Sequence, residues 1–161
     1  MSTGDETRRV VVGVDGSPAS YEALRWAVRH ARQIGATVDV VATYDVPGAV
    51  GRSAPPVAAA FDEEEARLAL AEKIRTVVPQ TGEVPMVEHV VRGSNPAKVL
   101  IAASAGAELL VVGSRGRGGF ASLLLGSVSQ QCAVHASCPV VIVRPEASED
   151  AHGQGGEGAS P

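Results

Sequence analysis

Apolar positions along the chain fall into short β-branched runs separated by longer stretches of helical spacing. Arg9 to Asp15 (RVVVGVD) is a nearly unbroken apolar run, the pattern of a parallel strand covered on both faces. Thr37 to Thr43 (TVDVVAT), Met86 to Val91, Glu108 to Gly113 (ELLVVG) and Pro139 to Val143 predict further strands. After the first run, Ser17-Pro18 supplies an N-cap and a Pro at the first helical position. Leu24, Ala27, Val28, Ala31 and Ile34 then share one helical face, and Gly35 stands where a left-handed C-terminal residue is wanted. Tyr44 to Ala60, rich in Pro, Gly and Ala, reads as a long loop. Phe61-Asp62 opens a second helix, with Glu63, Glu64 and Glu65 in its first turn and Leu70, Ile74 and Val77 as its buried stripe. Pro79 to Pro85 is a connection. Asn95-Pro96 repeats the cap-then-Pro device before a helix over Ala97 to Ala105, and a last helix covers Ser127 to Ala136.

Strict alternation of strand and helix argues for an α/β fold, a Rossmann-like parallel sheet with helices on both faces and right-handed crossovers. Ligands of such sheets sit beyond the carboxyl ends of the strands, where the strand order reverses. Two loops at that end are chemically unusual: Asp15-Gly16-Ser17 and the segment from Gly113 onward. If they share a site, the first and fourth strands are neighbours. The predicted five-stranded order is then 3-2-1-4-5.

The length of 161 residues suits one domain. We expect disorder over residues 1–7, a folded domain over 8–145, and a disordered acidic tail over 146–161, where Glu146, Glu149, Asp150 and Glu157 stand without a Lys or Arg. The net charge of −4 and the absence of a long basic block argue against a nucleic-acid surface. An aromatic content of 3% argues against a base-stacking platform. No apolar run approaches the roughly 20 residues of a membrane span, and the polar start MSTGDETRR does not read as a secretory signal. Cys132 and Cys138 have no metal-ligand spacing with the histidines and read as reduced thiols of a cytoplasmic protein. His135 and Cys138 read as structural, and Tyr21 and Trp26 as packing or partner-facing residues.

The stretch GSRGRGGFASLLLGSVS remains to be explained. It is not a P-loop, since Gly119 and Phe120 stand where Lys and Ser/Thr belong. Gly116, Gly118 and Ala121 spell a dinucleotide fingerprint, but after the fourth strand rather than the first. A different spacing is left: Gly113, Gly116 and Gly126, separated by two and then nine residues, with Ser127 next. One end is a turn leaving a strand, where glycine permits positive φ and close backbone approach. The other is Gly-Ser at a helix start, where free N–H groups and a partial positive charge favour phosphate. Ser127 and Ser129 add hydroxyls, and Arg115 and Arg117 add charge. Asp15 is read first as a ligand residue, with capping of its own turn as the alternative.

These residues resemble the universal stress protein family, in its ATP-binding branch. The resemblance rests on VVVGVDGSPAS, GSRGRGGFASLLLGSVS and HASCPVVIVR, and spans residues 8–145. Gly113, Gly116, Gly126 and Ser127 fit the family's G-2x-G-9x-G-[S/T] motif in full. The resemblance implies an adenine nucleotide alpha hydrolase-like sheet of order 3-2-1-4-5, with ATP between the first and fourth strands. It implies Gly13 beside the nucleotide, Asp15 near the ribose and phosphates, and the backbone of Thr43 or Ala42 toward adenine. Gly113, Ser114, Arg115 and Gly116 would hold phosphates together with Gly126, Ser127, Val128 and Ser129. Mg²⁺ or Mn²⁺ would enter with the phosphates, Asp15 being the one carboxylate nominated for it. Val140 to Val143 is the implied homodimer edge, unless the acidic tail covers it. The loop Tyr44 to Ala60 departs from the family pattern.

No nucleophile–base pair is visible, so the expected function is a nucleotide-responsive stress regulator, not a fast enzyme. Two alternatives stand beside it. One is an ATP-using enzyme of a related fold, a slow ATPase or an adenylyl-transferring type, although the first turn lacks an SGGxDS pattern. The other is a dimeric stress protein that binds no nucleotide.

Overall fold

The computed structural model describes residues 7–44, 56–78, 84–116 and 125–145. Its elements run β1 (Arg9–Gly13), α1 (Pro18–Ile34), β2 (Thr37–Tyr44), α2 (Pro56–Val77), β3 (Met86–Arg92), α3 (Pro96–Ala103), β4 (Leu109–Gly113), α4 (Ser127–His135) and β5 (Val140–Val143). All strand pairs are parallel and the order is β3-β2-β1-β4-β5, as the loop chemistry predicts.

β1 explains why its sequence is continuously apolar. Val10 and Val12 face one core with Leu24 and Val28 of α1, while Val11 faces a second core with Leu100 of α3 and Cys132 of α4. All three valines are completely buried. The predicted stripe of α2 (Leu70, Ile74, Val77) is buried in the first core. Burial pushes the Cys132 thiol up, and neighbouring Cys138 adds to it, so Cys132 behaves as a small core hydrophobe.

Two expectations are corrected. α2 begins at Pro56, inside the predicted loop, so Glu63 to Glu65 do not lie in its first turn. Pro56 fits the first helical position because the N–H it lacks has no helical partner there, and Ala58 to Ala60 are strong helix formers. The second correction concerns glycine conformation. Among the described residues, positive φ occurs at Gly16, Gly35 and Gly106, and not at Gly113, Gly116 or Gly126. Gly35 is the left-handed C-cap of α1. The tail over 146–161, most of residues 1–7, and the core of the Tyr44 to Ala60 loop lie outside the described residues.

The caps follow the sequence. Ser17 accepts from the Ser20 N–H at the start of α1, and Asn95 Oδ1 accepts from the Lys98 N–H at 3.1 Å at the start of α3. Asn95→Ala is expected to cost about 1 kcal/mol. A thermal melt should show Tm lower by about 2–4 °C.

Candidate functional site

β1 and β4 are adjacent, and the chain leaves them in opposite directions along the sheet order, which opens a crevice at their carboxyl ends. The crevice is a cavity of about 230 Å³. Its apolar wall comes from Val14, Val41, Val112, Pro96 and Leu100.

After β1 the backbone turns through Gly16 at φ 85°. Asp15 Oδ1 accepts from the Ser17 N–H at 2.9 Å and from the Ser17 hydroxyl at 2.5 Å. The other oxygen, Oδ2, points across to Gly116: a Cβ there would lie 2.8 Å from it. Asp15 therefore shapes its own turn with one oxygen and presents the other to the glycine segment. Ser20 Oγ accepts from the Asp15 N–H at 3.4 Å and donates to Ser17 O at 2.8 Å, tying this turn to α1.

The two ends of the glycine segment meet at Ser114. Its N–H donates to Val143 O at 2.8 Å, and its carbonyl accepts from the Gly126 N–H at 2.7 Å. The Ser129 hydroxyl lies 2.9 Å from Gly126 O and 3.3 Å from Ser114 O, so it is committed to backbone carbonyls. Ser114 and Gly126 thus meet at one clasp. Ser114 itself is buried and sits behind the cavity wall.

α4 starts differently from α1 and α3. Its N-cap is Gly126, with φ −72° and ψ 165°, and no side chain caps it. The first amides of a helix have no carbonyl one turn back. Those of Ser127, Val128 and Ser129 are therefore left for another acceptor, at the positive end of the helix dipole.

Gly13, Asp15, Thr43, Arg115, Gly113 and Gly116 all line this cavity, as do Gly126, Ser127, Val128 and Ser129. Arg117 lies outside the described residues. Sequence reasoning missed Ser17 and Ser20 as lining residues, and the α3 wall of Pro96 and Leu100. The Asn95-Pro96 cap marked the start of α3 but carried no sign that this helix end would face the crevice. Among the described residues, no cluster of three or more His, Cys, Asp or Glu could hold a metal by itself. No helix among them is long and apolar enough to cross a membrane.

β5 forms the edge of the sheet, paired to β4 on one side only. Among the described residues no strand pairs with its other side, whose mainchain groups could receive one.

Comparison with known proteins adds the following. The sequence profile of the universal stress protein family matches residues 6–144. A universal stress protein of Mycolicibacterium smegmatis is 41% identical over 143 residues, covering 88% of this chain and 47% of that protein. The chain thus spans about half the length of that relative. A Thermus aquaticus universal stress protein is 34% identical over 142 residues, covering 85% of this chain and 98% of that one. A solved universal stress protein in complex with cAMP is 30% identical, with a TM-score of 0.57, covering 87% of this chain and 98% of that chain.

Proposed function

Because the chain belongs to the universal stress protein family, we propose that it is an ATP-binding regulatory module whose nucleotide occupies the β1/β4 crevice. Gly126 carries the reading. Its φ is not positive, and a Cβ there would make only ordinary contacts, 3.5 Å from Arg115 Cα and 3.6 Å from Gly116 N. The fold alone does not require glycine at this position. A phosphate resting on the uncapped start of α4 would require it, because only glycine lets the ligand approach the backbone so closely. The relative solved with cAMP supports an adenine nucleotide as the ligand class.

In this reading the phosphates rest on Gly113 to Gly116 and on the amides of Ser127, Val128 and Ser129. Arg115 adds charge, and the backbone at Thr43 serves the base. A bound Mg²⁺ or Mn²⁺ would neutralise phosphate charge. Among the described residues, Asp15 Oδ2 is the carboxylate oxygen placed to hold it, since Oδ1 is engaged by Ser17. Asp15 is also, among the described residues, the one carboxylate lining the cavity, and no base stands beside a nucleophile there, which favours grip over turnover. Pairing of two copies through β5 and a cytoplasmic location complete the proposal.

Equilibrium dialysis of nucleotide-stripped protein against labelled ATP, ADP and cAMP tests it. One saturable site per chain is expected, with ATP turnover below about one per second. Absence of saturable binding would remove the nucleotide, and turnover of about ten per second or faster would make the protein an enzyme.

A further inference from the structure

α3 and α4 share one face of the sheet. α3 packs on β1 and β2, α4 packs on β5, and neither makes a substantial contact with β3. On the side of β3 that no described element covers, Val87 and Val91 are 45% and 36% exposed. Between α3 and strands β2 and β3 lies a groove of about 570 Å³, within the size range of small-molecule sites.

Four polar side chains converge on it: Arg9, Asp39, His89 and Lys98. Asp39 interrupts the apolar run of β2, in register with Val11 on one side and Val87 on the other. It is 6% exposed, and such a carboxylate needs a partner. Arg9 supplies one, at 2.7 Å from Oδ2, and its second amino group donates to Ala105 O at 2.9 Å beyond the end of α3. This ion pair accounts for Arg9 and Asp39 as structure. It does not account for Lys98 or His89. His89 Nε2 is 3.8 Å from Asp39 Oδ1, outside hydrogen-bond reach. Two fixed cations, Arg9 and Lys98, thus face one carboxylate, giving a local positive excess on a chain of net charge −4. The rest of the lining is apolar: Val41, Val91, Val99, Ala102 and Ala103.

We propose that this groove is a second ligand site, for a small amphipathic anion with a carboxylate or phosphate head and an apolar body. The head would sit by Lys98 and His89, and the body on Val91 and Val99. A purely polar anion would gain nothing from the valines, and a purely apolar ligand would strip water from the cations without replacing it. The groove is distinct from the nucleotide crevice, yet the two share a wall. α3 turns Leu100 to the crevice and Val99 and Ala103 to the groove, and Val41 lines both. The proposal does not depend on what the crevice binds.

The test is a titration of the intact, nucleotide-free chain with sodium decanoate, followed by ¹H–¹⁵N NMR. Saturable shifts are expected at Asp39, Val41, His89, Val91 and the α3 amides from Lys98 to Ala103. Lys98→Glu should weaken binding about tenfold or more, and uncharged decanol should bind about tenfold more weakly than decanoate. Lys98 is exposed in the first turn of α3, where Glu favours the helix, so this variant folds. Val91→Asp, also at an exposed position, is the second variant and should weaken decanoate by a similar factor. Shifts centred on Gly113 to Ser129, decanoate affinity unchanged in both variants, decanol binding as well as decanoate, or no shift at all would each overturn the proposal.

Discussion

Mg-ATP at about a hundred times its dissociation constant is expected to stabilise the native chain by roughly 2.7 kcal/mol. For a domain of this size, that raises Tm by on the order of 5–10 °C. Gly126→Val should erase the rise while leaving the melt of the ligand-free protein within about 1 kcal/mol of the parent. The separation follows from geometry. The backbone at Gly126, φ −72° and ψ 165°, is extended and open to any residue, and the space beside it holds no atom closer than 3.5 Å to an added Cβ. The side chain would instead face the backbone of Arg115 and Gly116, which lines the cavity together with the start of α4. Differential scanning fluorimetry of parent and variant, each with and without Mg-ATP, is sufficient. An undiminished shift in the variant would place the nucleotide somewhere other than the start of α4.

Gly113→Ala is the converse case, a large loss of stability in the absence of any ligand. An added Cβ would lie 2.8 Å from the backbone carbon of Ala19 and 2.9 Å from the Ser20 nitrogen. These are backbone atoms in the first turn of α1, held by the Ser17, Ser20 and Asp15 hydrogen bonds. α1 cannot yield without breaking that set, and β4 is held by its pairing to β1 and β5, so the cost falls at the upper end for overpacking, about 3 kcal/mol. Tm would then drop by roughly 6–12 °C. Gly13→Ala provides the control. Its added Cβ would meet Leu100 Cδ1 at 2.8 Å, the far end of a side chain that can rotate aside, and about 1 kcal/mol is expected. Urea melts of the two variants compare them directly, and equal losses would refute the distinction between backbone and side-chain obstruction.

The strand order was legible because two chemically marked loops, at Asp15 and Gly113, make sense only if β1 and β4 adjoin. The buried runs declared themselves as parallel strands, since only burial on both faces explains Val10, Val11 and Val12 in succession. Most cavity-lining residues were legible for the same local reason: a glycine spacing and a Gly-Ser helix start are short-range signals. What stayed hidden depends on packing at a distance. Leu100 reaches the crevice because the crossover after β3 lays α3 over β1, which no local pattern around Leu100 reveals. At Gly113 the sequence offered both positive φ and close backbone approach; the structure shows the second, set by a helix nearly a hundred residues earlier. The start of α2 was misjudged because Pro and Gly around Ala54 to Pro56 weigh toward a loop, and the alanines that follow carry their helical preference only quietly.

The contact between Ser17 and Arg115, 3.3 Å apart across 98 residues of chain, also dates the crevice in the life of the molecule. Chains emerge from the ribosome N-terminus first, at roughly 5–20 residues per second. β1, α1 and β2 are available early and can dock by short-range contacts, yet β1 must keep one edge vacant until β4 arrives. Closing so long a loop is slow compared with local pairing. The side of β1 that will border the crevice therefore waits in the growing chain, and its second wall is complete only after α4 has been made.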